Sequence, residues 1–140
     1  MSRVLRRFEI LLPLRFNDGR PVPDELIADT DDGIYIEGMG SFSIDQMRLN
    51  FQFGGNAFWR IRHGKKVHML RDVTYQSITP RFWGSCDAIC DQRFWVPNGV
   101  ISCGKGDPMQ VSQMTHGAAT ARFRKIDVGG ALKAMKESKA

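Results

Sequence analysis

Four residues of this sequence have the side chains and the approximate spacing of a metal site: Cys86, Cys90, Cys103 and His116. Thiolate and imidazole groups are ligands that zinc takes in tetrahedral sites. The pattern is imperfect, because three residues separate Cys86 from Cys90, whereas about two separate the paired cysteines of a typical zinc knuckle. The alternative is that both cysteines are small buried apolar side chains, as free cysteines commonly are. Spacing alone leaves both interpretations open.

Cys103 has a different environment, because glycines flank it closely on both sides. Glycine lets the backbone approach a ligand or a metal, and Lys105 would favour the thiolate form electrostatically. Cys103 is therefore the strongest single candidate for a metal ligand. Lys105 and His116 are weaker candidates for contact with a substrate, since a lone histidine in a loop is more often a surface or hydrogen-bonded residue.

Other catalytic patterns have little support. The carboxylates Asp45, Asp87 and Asp91 are scattered, without the paired spacing that acid–base catalysis uses. Lys105 lies between two glycines, as in a phosphate loop, but no helix start with Ser or Thr follows it. The sequence therefore assigns no catalytic residue.

Composition places the chain among single globular domains. It has 140 residues, of which 42% are hydrophobic, enough for one modest core. The formal net charge of +5 suits a nucleic-acid partner, but the basic residues are spread along the chain, so that partner is not expected. No apolar stretch approaches the ~20 residues that span a bilayer, and no signal peptide is visible. A membrane partner is therefore not expected. The three cysteines, an odd count, favour a reducing compartment, so we expect a cytoplasmic protein.

The elements that would position these residues are mainly short strands. Residues 49–53 alternate apolar with polar side chains, which is typical of a strand with one buried face. His63-Gly64 separates two further apolar runs as a hairpin turn. Residues 80–108 are interpreted as an ordered loop with short strands, and residues 121–128 as a strand. The prediction is a mainly β fold, an antiparallel β-barrel or sandwich-like domain with short peripheral helices.

Three segments are expected along the chain. Residues 1–31 contain a strand, a turn and the start of a helix, which the acidic stretch at residues 29–33 ends after barely one turn. This first segment is interpreted as foreign or truncated, the alternative being that the acidic stretch is an ordinary loop. Residues 32–130 carry consecutive strand patterns. Residues 131–140 are rich in helix formers and predict a terminal helix or tail.

A series of short motifs runs in order through residues 32–130. They are Gly33-Ile34-Tyr35-Ile36-Glu37-Gly38, Ser43-Ile44-Asp45, Arg48-Leu49-Asn50-Phe51-Gln52-Phe53-Gly54, Thr74-Tyr75, Ile78-Thr79-Pro80, Phe82-Trp83-Gly84-Ser85-Cys86-Asp87-Ala88, Cys103-Gly104-Lys105-Gly106 and His116-Gly117. Each motif is weak alone. In this order they resemble the C-terminal domain of the TldD/PmbA family, also labelled modulators of DNA gyrase.

The resemblance implies both a fold and an activity. Members of that family have an N-terminal α/β domain and a C-terminal β-barrel-like domain, and they pair as homodimers or heterodimers. The TldD-like members are zinc peptidases that degrade or trim unfolded peptides and peptide precursors. Their metal site uses a helix with the motif His-Glu-x-x-x-His and a cysteine from the C-terminal domain. By this resemblance Cys103 matches the cysteine ligand.

The sequence departs from the family at the zinc motif. None of its three histidines, His63, His68 and His116, is followed by glutamate. One thiolate is too few for a catalytic zinc, which takes about three protein ligands and keeps an open position. We therefore expect the C-terminal domain of a zinc-dependent peptidase that is inactive alone, with zinc bound only if another domain or chain completes the site. The alternative is a non-catalytic β-rich interaction module that pairs with a peptidase partner.

Overall fold

The computed structural model describes residues 6–14 and 23–134 of the chain. Strands dominate this part of the chain: β1 (Arg6–Leu14), β2 (Asp32–Glu37), β3 (Phe42–Ile44), β4 (Asn50–Phe53), β5 (Ala57–Arg62), β6 (Lys65–Ile78), β7 (Cys86–Ile89), β8 (Val96–Lys105) and β9 (Gln110–Ala134). Two short helices, α1 (Pro23–Ala28) and α2 (Thr79–Gly84), and a 3₁₀ turn at Gln92–Phe94 lie between them. None of the helices in this part is long and apolar enough to cross a membrane.

One mainly antiparallel sheet holds the strands together. Its order is β3-β4-β6-β5-β2-β1-β9-β7, and among the described strand pairs only β1 and β2 run parallel. Strand β6 also pairs with the end of β9, so the sheet is strongly bent, and β8 pairs with the beginning of β9. The prediction of a mainly β fold with short peripheral helices is confirmed, and its sandwich-like form fits.

The core has two parts, because successive side chains of a strand point to opposite faces of the sheet. In β2, Ile34 and Ile36 belong to the larger cluster, whereas Tyr35 packs against the smaller one. Aromatic rings fill the larger cluster, in which the fully buried Phe123 stacks on Phe82 with ring centroids 4.0 Å apart. The smaller cluster includes Cys90, which is completely buried.

Helix α1 packs on the β-rich body. Its Leu26 and Ile27 are buried in the smaller cluster, and the completely buried Thr30 donates a hydrogen bond to the Leu26 carbonyl at 2.7 Å. The guanidinium of Arg122, from β9, reaches this segment and donates to the Asp29 carbonyl at 3.1 Å. The acidic stretch at residues 29–33 is therefore attached to the sheet. That residues 1–31 are foreign or truncated stays a prediction.

Strand β9 corrects two sequence predictions. It runs from Gln110 to Ala134, well beyond the strand predicted at 121–128. Residues 131–134, predicted as part of a terminal helix or tail, are strand, because β9 pairs there with β6, with Leu70 opposite Ala134. Tertiary pairing of this kind readily overrides a weak helix propensity. Residues 135–140 lie outside the described part.

Candidate functional site

Strand β8 and the first part of β9 form a two-stranded hairpin, residues 96–118, which we call the arm. Its ladder runs from Val96 opposite Ala118 to Lys105 opposite Gln110. Most of its residues are exposed. All three residues that the sequence singles out as metal or substrate contacts, Cys103, Lys105 and His116, lie on the arm, so the structure places them in one element.

The base of the arm is fixed by an aromatic ring. A Cβ built on Gly117 would lie 2.0 Å from Cζ2 of Trp95, so the indole occupies the space that any other side chain would fill. Glycine is required wherever another group approaches the backbone this closely. Gly117, the glycine of the His116-Gly117 motif, is therefore needed to leave room for the Trp95 indole where the arm leaves the sheet.

A β-bulge decides which face of the arm carries Cys103. Val100 lies opposite Met114 and Cys103 lies opposite Ser112, so β8 advances three residues where β9 advances two. The extra residue in β8 is the signature of a bulge. Directly opposite residues share a face, so Cys103 lies on the face of Val100, whereas strict alternation along β8 would put it on the other side.

His116 and Lys105 share this face with Cys103. His116 lies opposite Asn98, and its position on β9 is four residues from Ser112, the residue opposite Cys103. At about 3.3 Å per residue this separation is ~13 Å, which is too long for one metal ion. Lys105 is the next residue but one after Cys103, at the outer end of β8. The face can present a thiol, an amine and an imidazole to one extended partner, but not to one ion.

A turn at residues 45–50 contacts the arm through Arg48. The Asp45 carboxylate accepts backbone hydrogen bonds from Leu49 at 2.8 Å and Asn50 at 2.9 Å. The bond from the Asn50 backbone is the largest of several that lower the pKa of Asp45. Within this turn Arg48 adopts a positive φ of 56° and donates to the Gly104 carbonyl at 3.4 Å. Arg48 lies in one of the quoted motifs, but only the tertiary structure shows its contact with Gly104, the residue after Cys103.

The structure overturns the zinc site within the chain that Cys86, Cys90, Cys103 and His116 suggested. Cys86 lies opposite Phe123, eleven residues along β9 from the partner of Cys103, which corresponds to roughly 36 Å of strand. Cys90 points into the core. Burial, with smaller contributions from Glu25 and Asp91, raises the pKa of its thiol to about 11, so it stays protonated at neutral pH and is a poor ligand.

The described residues therefore contain no complete metal site. They contain no group of three or more His, Cys, Asp or Glu side chains that could hold a metal ion. Cys103 is half-buried and is not in a disulfide, so its thiol fits a single position in a coordination shell. The remaining donors would have to come from another segment or another polypeptide.

The register of the arm can be tested with a disulfide. In the variant Ser112→Cys, we expect the new cysteine to form a disulfide with Cys103, because directly opposite residues have Cα atoms about 4.5–5.5 Å apart, within bridging range. In the control Gln113→Cys, the new side chain points to the other face and should stay free. Peptide mass spectrometry after mild oxidation shows whether the new cysteine of each variant is linked to Cys103. A bridge in the control would show that the bulge is misplaced.

Comparisons with known proteins agree on one family. The family model described as PmbA/TldA metallopeptidase C-terminal domain matches residues 12–130. Among curated proteins, metalloprotease slr0863 of Synechocystis sp. is 29% identical over 106 residues, which is 75% of this chain and 22% of that protein.

Two solved structures have a similar fold. A candidate modulator of DNA gyrase from Bacteroides thetaiotaomicron gives a TM-score of 0.61 at 16% identity, covering 84% of this chain and 22% of the other. TldE from Thermococcus kodakarensis gives a TM-score of 0.58 at 14% identity, covering 82% of this chain and 23% of the other. The chain thus spans less than a quarter of the length of each of these relatives.

Proposed function

Because the chain belongs to the PmbA/TldD metallopeptidase family, of which it forms the C-terminal domain, we propose that it is the β-rich lobe of a zinc-dependent peptidase. In this proposal it acts in the cytoplasm on peptides or unfolded protein. It is inactive alone, and it pairs with a TldD/PmbA-like chain of the same or of another kind. The lobe contributes the Cys103 thiolate to a metal whose other ligands come from elsewhere.

One observation carries the proposal. Cys103 is a free, half-buried thiol on an arm that extends from the sheet, with no further group of potential ligands around it in the described residues. A zinc site needs about four ligands in all, so this thiol can bind a metal only if another domain or another polypeptide supplies the remaining ligands. The arm carries the Cys103 thiol on the same face as His116 and Lys105, where that domain or polypeptide would bind.

The surroundings of Cys103 support a positioning role for this lobe. Arg48 donates to the carbonyl of Gly104, the residue after Cys103, and Trp95 packs against Gly117 at the base of the arm. A ligand held by packing and hydrogen bonds keeps its geometry before the metal arrives, which raises metal affinity. The lobe would also form one side of the substrate-binding site, with His116 and Lys105 as candidate contacts to the substrate.

The test is complementation of peptidase activity. The chain is assayed with added zinc, alone and together with a family polypeptide that carries His-Glu-x-x-x-His and from which its own C-terminal domain has been removed. We expect no activity of the chain alone and activity of the mixture. Since loss of a residue that merely supports a ligand costs 10–100-fold, Cys103→Ser should reduce the activity of the mixture by at least ~100-fold.

Cys86→Ser is the matched control, because Cys86 is a half-buried thiol on β7 far from the arm. It should leave the activity of the mixture unchanged. Peptidase activity of the chain alone would contradict the proposal. Activity of the mixture that survives Cys103→Ser would instead favour the alternative, a non-catalytic module that only pairs with a peptidase.

A further inference from the structure

The excess of basic residues is concentrated near the two ends of the chain. Residues 23–130 carry twelve Lys and Arg side chains and twelve Asp and Glu side chains, so this long central part is formally neutral. The formal net charge of +5 therefore comes entirely from residues 1–22 and 131–140. An excess of cations confined to particular segments indicates a partner that carries negative charge.

Most of this excess also lies outside the part of the chain that matches the family model. Residues 12–130, the matched part, carry fourteen basic and thirteen acidic side chains, whereas residues 1–11 and 131–140 together carry six basic and two acidic ones. The excess therefore does not follow from membership of the family. It is a property of the two segments that flank the matched domain in this chain.

Strand pairing brings the two basic segments to the same end of the sheet. Strand β1 begins at Arg6, which lies opposite Val128 of β9. From Val128, β9 continues for five more residues to Lys133, which lies opposite Arg71 of β6. Five residues of strand span at most about 17 Å. We call this end of the sheet, formed by the start of β1, the last residues of β9 and Arg71, the basic end.

Carboxylates neutralise only part of the charge at the basic end. Arg7 lies directly opposite Asp127, and Asp72 follows Arg71 in the chain. The ladder nevertheless places Lys133 opposite Arg71, whose side chain is exposed. Like charges directly opposite one another destabilise a sheet, so an anion bound beside this pair would relieve a repulsion that the fold contains.

Further basic residues lie within reach of the basic end. Arg3 precedes Arg6 by three residues, and Lys136 follows Lys133 by three. Three residues of backbone span at most about 11 Å, so the Cα atoms of Arg3 and Lys136 lie within that distance of the sheet. The basic end therefore offers several separated cations to one extended anion, rather than a pocket for a single small one.

We propose that the basic end binds the phosphate backbone of a nucleic acid without reading its sequence. Separated Lys and Arg side chains contact phosphates along such a backbone, and these contacts carry no sequence information. Spacing along the chain does not suggest this partner, because the two basic segments meet only through the pairing of β1 and β6 with β9.

The proposal is separate from the peptidase function. The arm and the basic end lie at opposite ends of β9, since Lys133 is 21 residues along β9 from Ser112, the residue opposite Cys103. A nucleic acid on the basic end would therefore bind to a part of the chain that takes no part in holding the metal. Failure of the complementation assay would leave this proposal unaffected.

An anionic membrane surface is the less favoured partner. It attracts Lys and Arg side chains as well, but lasting attachment takes an amphipathic helix with apolar side chains, or a lipid chain, beside them. Residues 132–134 are strand paired with β6, so Leu132 and Lys133 are not presented on such a helix. Vesicles nevertheless belong in the test, because charge alone does not separate the two partners.

Fluorescence anisotropy of a labelled DNA duplex, titrated with the full chain, tests the proposal. We expect a dissociation constant of about 1–100 μM near physiological salt, weakening about 100-fold between roughly 50 and 200 mM salt, as about four phosphate contacts would give. A second duplex of equal length and unrelated sequence should bind equally well. Absence of binding at the lower salt concentration, or binding that salt does not weaken, would overturn the proposal.

Charge-removing variants locate the binding surface. In the double variant Arg6→Gln, Lys133→Gln the dissociation constant should rise at least ~10-fold near 0.1 M salt, because each phosphate contact contributes about that much there. The control Lys65→Gln, Arg81→Gln removes the same charge from exposed residues of the neutral part and should bind nearly as the wild type does. Equal loss in the control would overturn the proposal, since net charge would then decide binding.

A second measurement needs no variant. Amide chemical shifts of the wild-type chain, recorded with and without the duplex, show which residues contact it. Shifts at residues 6–8, 70–73 and 126–134 would support the basic end as the binding surface, whereas shifts confined to the arm would overturn it. Tighter binding to vesicles made of equal parts of phosphatidylcholine and phosphatidylserine than to the duplex would also overturn it, in favour of a membrane surface.

Discussion

The variant Asp87→Ala is expected to lose about 3 kcal/mol of unfolding free energy. Arg122, whose side chain is only 5% exposed, donates to both carboxylate oxygens of Asp87, at 3.1 and 3.0 Å, and Arg124 donates to the same carboxylate at 2.6 Å. Removing one partner of a buried ion pair leaves an uncompensated charge and costs about 3–5 kcal/mol. We expect the lower end, because the Asp29 carboxylate, 2.9 Å from Arg122, remains.

Urea unfolding followed by tryptophan fluorescence measures this loss. Asp91→Ala is the control, since Asp91 pairs with the exposed Arg93, and we expect a clearly smaller loss. Desolvation raises the pKa of Asp87, but the hydrogen bonds and charges of Arg122 and Arg124 outweigh it and lower the pKa below its usual range. The stabilisation is therefore complete above the ordinary carboxyl pKa and is lost as the pH falls through the lowered value. A difference between wild type and variant that grew on acidification would contradict this account.

The variant Gly130→Ala should destabilise the chain by about 3 kcal/mol or more. Gly130 has a φ of 105°, and a Cβ there would lie 1.8 Å from the backbone oxygen of Asp72. An L residue is strained at this φ, and the clashing atom belongs to the backbone, so no side chain can move to relieve it. The change would disrupt the pairing of β9 with β6, in which Val73 lies opposite Gly130.

Gly99→Ala is the matched control for this substitution. Gly99 lies in β8, and a Cβ added there meets nothing within 4 Å, so its stability should change little. Thermal unfolding measures both variants against the wild type. Equal stability of the two variants would show that the β6–β9 crossing is not as tight as the structure places it.

Much of the fold follows from local sequence patterns. Alternation of apolar residues identifies strands such as β4, and His63-Gly64 marks the turn between β5 and β6. The predictions fail where pairing between distant strands decides the outcome. Residues 96–118 lack a clean alternation of apolar and polar residues, because both faces of the arm are exposed, so the period-2 signal of a half-buried strand is missing.

The candidate site was only partly predictable for a related reason. The type and setting of Cys103 indicate a ligand, but its face depends on one extra residue in β8. A shift of one residue moves a side chain to the other face of a sheet, and single-sequence patterns do not locate bulges. The burial of Cys90 likewise depends on the packing of α1 against β5 and β9, so spacing alone could not separate it from a ligand.

Zinc titration of the purified chain tests the central claim most directly, namely that this lobe supplies one ligand and no more. The account predicts weak binding, outside the submicromolar range of complete structural zinc sites, because a single thiolate provides one of about four required donors, and it predicts no effect of Cys86→Ser. Tight one-to-one binding, of the submicromolar strength typical of complete structural zinc sites, would contradict the account, above all if Cys86→Ser abolished it.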